Sequence, residues 1–227
     1  MEITNKRGTF SLILKCIVIV SAAFGVYLSA TAGFVAFMSG STVFMYFTIQ
    51  SNIAVALISA VGAVFLLRKT MPKNVWFVVK FVGTVAITLT GGVFIFILAP
   101  TLGDKAWNVQ NVLTHAVVPI ASIADFFITG VCGTIDKKHL PFIVLPPLVY
   151  VIYAAVGYAA GWEFSPGNRY PYFFLNWGSS AGAFGFTPKL PFMGCVWWIL
   201  VGILLVLGVG LLYLRILDKL KRGQRNK

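Results

Sequence analysis

Tyr46-Phe-Thr-Ile-Gln-Ser-Asn52 opens a long apolar run and places four polar side chains, Thr48, Gln50, Ser51 and Asn52, in its first turns. On a helix of 3.6 residues per turn, Thr48, Ser51 and Asn52 share one face. Hydrocarbon gives polar groups no water to bond, so that face must meet protein, a cavity or the membrane interface. The stretch therefore points to a bundle of membrane helices with a polar patch inside it.

Composition agrees. Of the 227 residues, 59% are hydrophobic and 11% charged, with a mean hydropathy of +0.89. Soluble domains sit near about 45–50% apolar and about 25% charged. The net charge of +12 does not indicate nucleic acid, because the basic residues cluster at the ends of apolar segments and form no basic face with interleaved aromatics. Cys16, Cys132 and Cys195 lie in or beside apolar segments and suggest no disulfide or metal framework. Neither Cys-x-x-Cys nor His-Glu-x-x-His occurs, and no cofactor or metal is implied.

Six segments are long enough to span a bilayer at about 20 residues each. They are expected near 11–31, 42–67, 75–98, 107–131, 141–160 and 193–215, in a single all-α, polytopic domain. The first resembles a signal peptide, with Lys6, Arg7 and Lys15 ahead of an apolar run ending in Ala30-Thr31-Ala32, but is read as a retained helix. Lys6, Arg7, Lys15, Arg68, Lys69, Lys73, Lys80, Lys137 and Lys138 fall on one side. The tail, 216–227, adds more basic residues to that side, whereas only Lys105, Arg169 and Lys189 fall on the other. This asymmetry predicts a cell-membrane protein with both termini cytoplasmic. Lys15 and Lys80 are about a turn inside their helices and are expected to snorkel to that interface. The long outer loop, 161–192, is rich in Gly, Pro and aromatics. Its Tyr and Trp residues suit interfacial anchoring, and its apolar character also suits a lid over the outer mouth.

The fourth segment carries a second constellation. Asn108, Asn111, His115, Pro119 and Ser122 recur at helical spacing and form one stripe, which should face the bundle interior. Pro119 cannot donate to the carbonyl of His115 and should kink the helix there. Counted from the outer side, Thr48 lies roughly 6 residues, or ~9 Å, into its helix, and His115 roughly 8 residues, or ~12 Å. The two can therefore meet in the outer half of the bundle.

A hydroxyl facing an imidazole is the minimal nucleophile–base pair. The second ring nitrogen needs a partner to fix its tautomer. Asp125 is ten residues farther on, about 15 Å along the axis, and cannot reach. Asn52, Asn111 or Asn176 are better placed to orient the ring or stabilise an oxyanion. The plainer reading is that Thr48 bonds its own i−4 carbonyl or a neighbouring helix. Asp125 is read as a satisfied structural acid.

Three stretches carry a family resemblance: Tyr46 to Asn52, Asn111-Val-Leu-Thr-His115-Ala-Val-Val-Pro119, and Tyr170-Pro-Tyr-Phe-Phe-Leu-Asn176. In this order the chain resembles the androgen-induced-protein family of six-helix membrane proteins. The resemblance spans most of the chain in helix count but is specific only at these stretches. Animal members are threonine hydrolases that cleave esters of fatty acids with hydroxy fatty acids. The resemblance implies Thr48 as nucleophile and His115 as base, and leaves the Tyr170-Pro-Tyr stretch a family mark without an assigned role. Beside that pair, Ser51, Asn52, Asn111, Tyr172 and Asn176 are the candidate binding or orienting residues. The Ile-Gln-Ser-Asn that ends the first stretch is the bacterial-type version, which changes what it implies about the substrate.

The leading expectation is an intramembrane hydrolase acting on a lipid substrate within the bilayer. The alternative is a transporter or small-ligand-binding protein with a polar path along Asn108, Asn111, His115, Ser122 and Asp125. A structural partner protein whose basic tail binds anionic lipid is a third class. The sequence specifies no oligomeric state and no nucleic-acid partner.

Overall fold

The computed structural model describes residues 5–32 and 40–225. Positions 33–39 of the expected outer connection and the last two residues of the basic tail lie outside the described residues. The chain is an all-α, polytopic membrane protein, with six long apolar helices among the described residues. They are α1 (Asn5–Thr31), α2 (Phe47–Leu67), α3 (Asn74–Ala106), α4 (Val109–Cys132), α5 (Leu140–Ala159) and α6 (Cys195–Arg225).

Two helices run longer than their apolar stretches. α3 continues past Leu98 because Ala99–Leu102 adds a helical turn, and Gly103, at a positive φ of 58°, turns it into a closing 3-10 turn that ends at Ala106. α6 extends through most of the basic tail as an amphipathic helix. Its Leu214 and Leu217 are buried with Val131 and Ile135, and Lys221 donates to the Gly133 carbonyl at 2.7 Å.

α1 is an integral wall of the bundle, packed against α2 and α4. The expected snorkelling of Lys15 and Lys80 does not occur. Both are buried and turn inward onto Asp125, which also accepts from Ser11. A carboxylate at their own depth offers a nearer partner than the interface, and Gly62 leaves room for the Lys15 stem. A Cβ at Gly62 would come within 2.7 Å of Lys15 Cε. Asp125 is thus a paired acid.

A cluster of Leu14, Val18, Ala22, Val55, Ile87, Val118 and Ala121 fills the middle of the bundle. Nearer the end away from the basic tail, Tyr46, Ile49, Tyr150, Phe164, Tyr172 and Leu175 form an aromatic cluster that fastens the 161–192 segment to α2 and α5. The Tyr46 hydroxyl donates to the Phe164 carbonyl and that of Tyr150 to the Met45 carbonyl. Both phenols thereby satisfy main-chain acceptors that a water-poor interior would otherwise strand.

Candidate functional site

α2 starts at Tyr46 without a side-chain cap, so its first-turn N–H groups need partners from elsewhere. The 161–192 segment supplies one: Thr48 N donates to the Tyr172 hydroxyl at 3.3 Å. Thr48, Ser51 and Asn52 are all buried, while Gln50 points out and reaches back to the Phe44 carbonyl.

Both helices behind the site change pitch at the same level. α3 holds a π turn at Phe94–Leu98 and α4 another at Leu113–Val117, closed by Ala99 N to Phe94 O and Val118 N to Leu113 O. In each case the next residue is a proline, Pro100 or Pro119, which cannot donate to its own i−4 carbonyl. The extra residue per turn swings His115 toward α2 and α3, a use of π turns common at functional sites. Its carbonyl faces α3 at Gly91, where a Cβ would stand 2.9 Å from that oxygen. The ring stacks on Phe94, with centroids 3.9 Å apart and planes at 18°.

Thr48 Oγ1 lies 3.4 Å from His115 Nε2 and 3.4 Å from the Tyr172 hydroxyl. Thr48 and His115 are only 5% and 4% exposed, so neither shares its bond with bulk water. The neighbours fix the direction of every proton. His115 Nδ1 is 3.1 Å from the Asn111 carbonyl, which can only accept, so Nδ1 carries the hydrogen. Thr114 Oγ1, 3.1 Å from the same nitrogen, spends its own hydrogen on the Gln110 carbonyl at 2.8 Å and so also accepts. Nε2 is left with a lone pair aimed at Thr48, ready to accept the hydroxyl proton. Burial pushes the Tyr172 phenol above its ordinary range, so it stays protonated and can donate to Thr48 Oγ1.

The remaining expected residues are placed differently. Asn111 orients the ring through its main-chain carbonyl, while its side chain bonds the Ala106 carbonyl at 2.8 Å. Asn52 does not reach the ring: its amide donates to the Thr48 and Thr114 carbonyls, which ties α2 to α4. With both hydrogens committed it cannot stabilise an oxyanion, and its Oδ1 has no partner among the described residues. Ser51 bonds Thr90 Oγ1 at 2.8 Å and the Thr48 carbonyl, a tie between α2 and α3. Asn176 accepts from Gly178 N in its own turn, away from Thr48 and His115. Of the two candidates in the 161–192 segment, Tyr172 enters the site and Asn176 does not.

The members of the stripe on α4 are placed differently along the helix. Asn108 is exposed and caps the helix, accepting from Asn111 N. Between His115 and Asp125 the stripe itself carries Pro119 and the buried Ser122, flanked by the apolar cluster that includes Val118 and Ala121. Sequence reasoning missed Phe94, Thr90, Thr114 and Gly91. The signals were the Thr beside the His and the two prolines that each follow a π turn.

A cavity of about 110 Å³ borders the site, with Thr48, Thr90 and Tyr172 in its wall and an otherwise apolar lining. It runs between α3, α5 and α6, and opens past Leu148, Val201 and Leu205, all exposed on the lipid-facing surface. An apolar molecule could thus reach Thr48 from the bilayer without crossing water.

Among known proteins, the chain matches no family model, no curated protein and no solved structure.

Proposed function

We propose that this protein hydrolyses lipid esters within the membrane, with Thr48 as nucleophile and His115 as general base. The observation that carries the reading is the Thr48–His115 pair, its tautomer fixed for accepting a proton, beside a cavity open to lipid. The ester chain would lie in the cavity with its carbonyl carbon at Thr48 Oγ1. As the C–O bond forms, the hydroxyl proton passes to Nε2, and His115 returns it to the alcohol that leaves. Water then attacks the acyl-threonine, giving its proton to Nε2, and collapse returns it to Thr48 with release of the fatty acid. The Tyr172 O–H, beside the same oxygen, is the donor for the tetrahedral oxyanion.

The likeness to the threonine hydrolases supports the same residues and suggests esters of fatty acids with hydroxy fatty acids. The basic asymmetry supports a cell-membrane location with both termini in the cytoplasm and the site in the outer half. The test is turnover of such an ester by purified protein in nanodiscs. Thr48→Ala and His115→Ala should each remove ester-dependent fatty-acid release while the fold persists by circular dichroism. Full turnover by folded Thr48→Ala would exclude the proposal.

A further inference from the structure

The second polar assembly lies at the basic end of the bundle and is not part of the hydrolase reading. Lys15 Nζ donates to Ser11 Oγ at 2.7 Å and to both Asp125 carboxylate oxygens at 2.7 and 2.6 Å. Lys80 Nζ donates to Asp125 Oδ2, the Asp125 carbonyl and Thr129 Oγ1. Each ammonium thus has three acceptors, the number its hydrogens require, and the geometry is that of two charged lysines on one carboxylate. Hydrogen bonding is complete; with both amines protonated, the trio holds one positive charge more than its single carboxylate balances. Such a charge in a low-dielectric interior is costly unless an anion comes near, and ionisable groups at membrane depth are functional by default.

The structure supplies a place for that anion. A cavity of about 410 Å³ opens at this end, with Gly8, Lys15, Gly62, Lys69, Trp76 and Lys80 among its lining residues. Lys69, exposed at the mouth in a positive-φ turn, adds a third ammonium, and among the described residues no acid lines the cavity. With all three lysines protonated and Asp125 behind the wall ionised, the balance is two positive charges. A phosphomonoester carries about −1.5 to −2 at neutral pH and offers three acceptor oxygens.

We propose that this cavity binds a phosphomonoester group, with Lys69 at the mouth and the excess charge of Lys15 and Lys80 at the floor. Two sources present that group: the headgroup of phosphatidic acid in the adjacent leaflet, and inorganic phosphate or a soluble phosphomonoester. Occupancy cancels the buried charge and should brace α1 against α3 and α4.

The experiment has two arms on the full chain. Purified protein in neutral detergent is unfolded thermally with rising inorganic phosphate, against chloride at matched ionic strength. Protein in nanodiscs of phosphatidylcholine with or without phosphatidic acid is released into native mass spectrometry. A rise in unfolding temperature specific to phosphate assigns a soluble ligand, and selective retention of phosphatidic acid assigns the lipid; either result supports the site. Lys80→Met leaves a neutral Lys15–Asp125 pair, so it should keep the fold and weaken binding by about tenfold or more. Lys69→Ala, at an exposed position, should weaken it by a smaller factor and provides the test should Lys80→Met not fold. Absence of binding in both arms overturns the proposal, and so does unchanged affinity in a folded Lys80→Met or, failing that, in Lys69→Ala.

Discussion

Gly91→Ala, paired with Gly92→Ala as a control, isolates the contact that seats His115. A Cβ at Gly91 would stand 2.9 Å from the His115 carbonyl and 3.3 Å from Pro119, whereas one at Gly92 meets nothing within 4 Å. Carbon–oxygen contacts relax near 3.3–3.6 Å, so α3 and α4 must part locally by about 0.5 Å. The atom in the way is main chain and cannot swing aside. Removing a helical glycine gains roughly 0.5–1 kcal/mol at either position. At Gly91 that gain is set against an overpacking cost of about 1–3 kcal/mol, so the overpacking wins. Gly91→Ala should therefore lose stability by roughly 0.5–2 kcal/mol, while Gly92→Ala should gain about 0.5–1 kcal/mol. The assay is equilibrium unfolding in mixed micelles followed by far-ultraviolet circular dichroism. Gly91→Ala should also lower ester turnover, because the shift moves His115 away from Thr48. Equal and same-signed stability changes in the two variants would refute this account of helix contact.

Two other substitutions probe the hydrogen-bond chain. Tyr172→Phe strands the Thr48 N–H, a buried donor, and should cost about 1–3 kcal/mol in the same unfolding assay, with kcat falling more than KM rises; unchanged stability and kcat would remove Tyr172 from the site. Thr114→Val keeps shape but leaves the Asn111 carbonyl as the ring's sole acceptor. It should cost about 1 kcal/mol and raise the Nε2–H tautomer of His115 in ¹⁵N NMR, whereas an unaltered tautomer would show that Thr114 does not orient the ring.

The helical spacing of Thr48, Ser51 and Asn52 was enough to give their shared buried face, and counting residues from the outer side was enough to put Thr48 and His115 at one level. The coordinates add why the ring turns toward Thr48. The π turn ahead of Pro119 rotates it, the π turn ahead of Pro100 holds the Phe94 on which it stacks, and a period of 3.6 cannot anticipate either. The partner of Nδ1 was sought among side-chain amides, but it is the Asn111 main chain, a group every residue carries and no sequence pattern marks. Lys15 and Lys80 were misread for a related reason. Depth alone suggested snorkelling, but Asp125 lies on another helix, and only the packing of α1, α3 and α4 brings the three charges together.

The most direct test of the central claim is to treat detergent-purified protein with a fluorophosphonate and map the adduct by peptide mass spectrometry. The account expects one adduct, on the peptide carrying Thr48, absent from Thr48→Ala and lost with His115→Ala. An adduct on Ser51 or elsewhere that survives Thr48→Ala, or folded wild type that hydrolyses ester without labelling at Thr48, would contradict it.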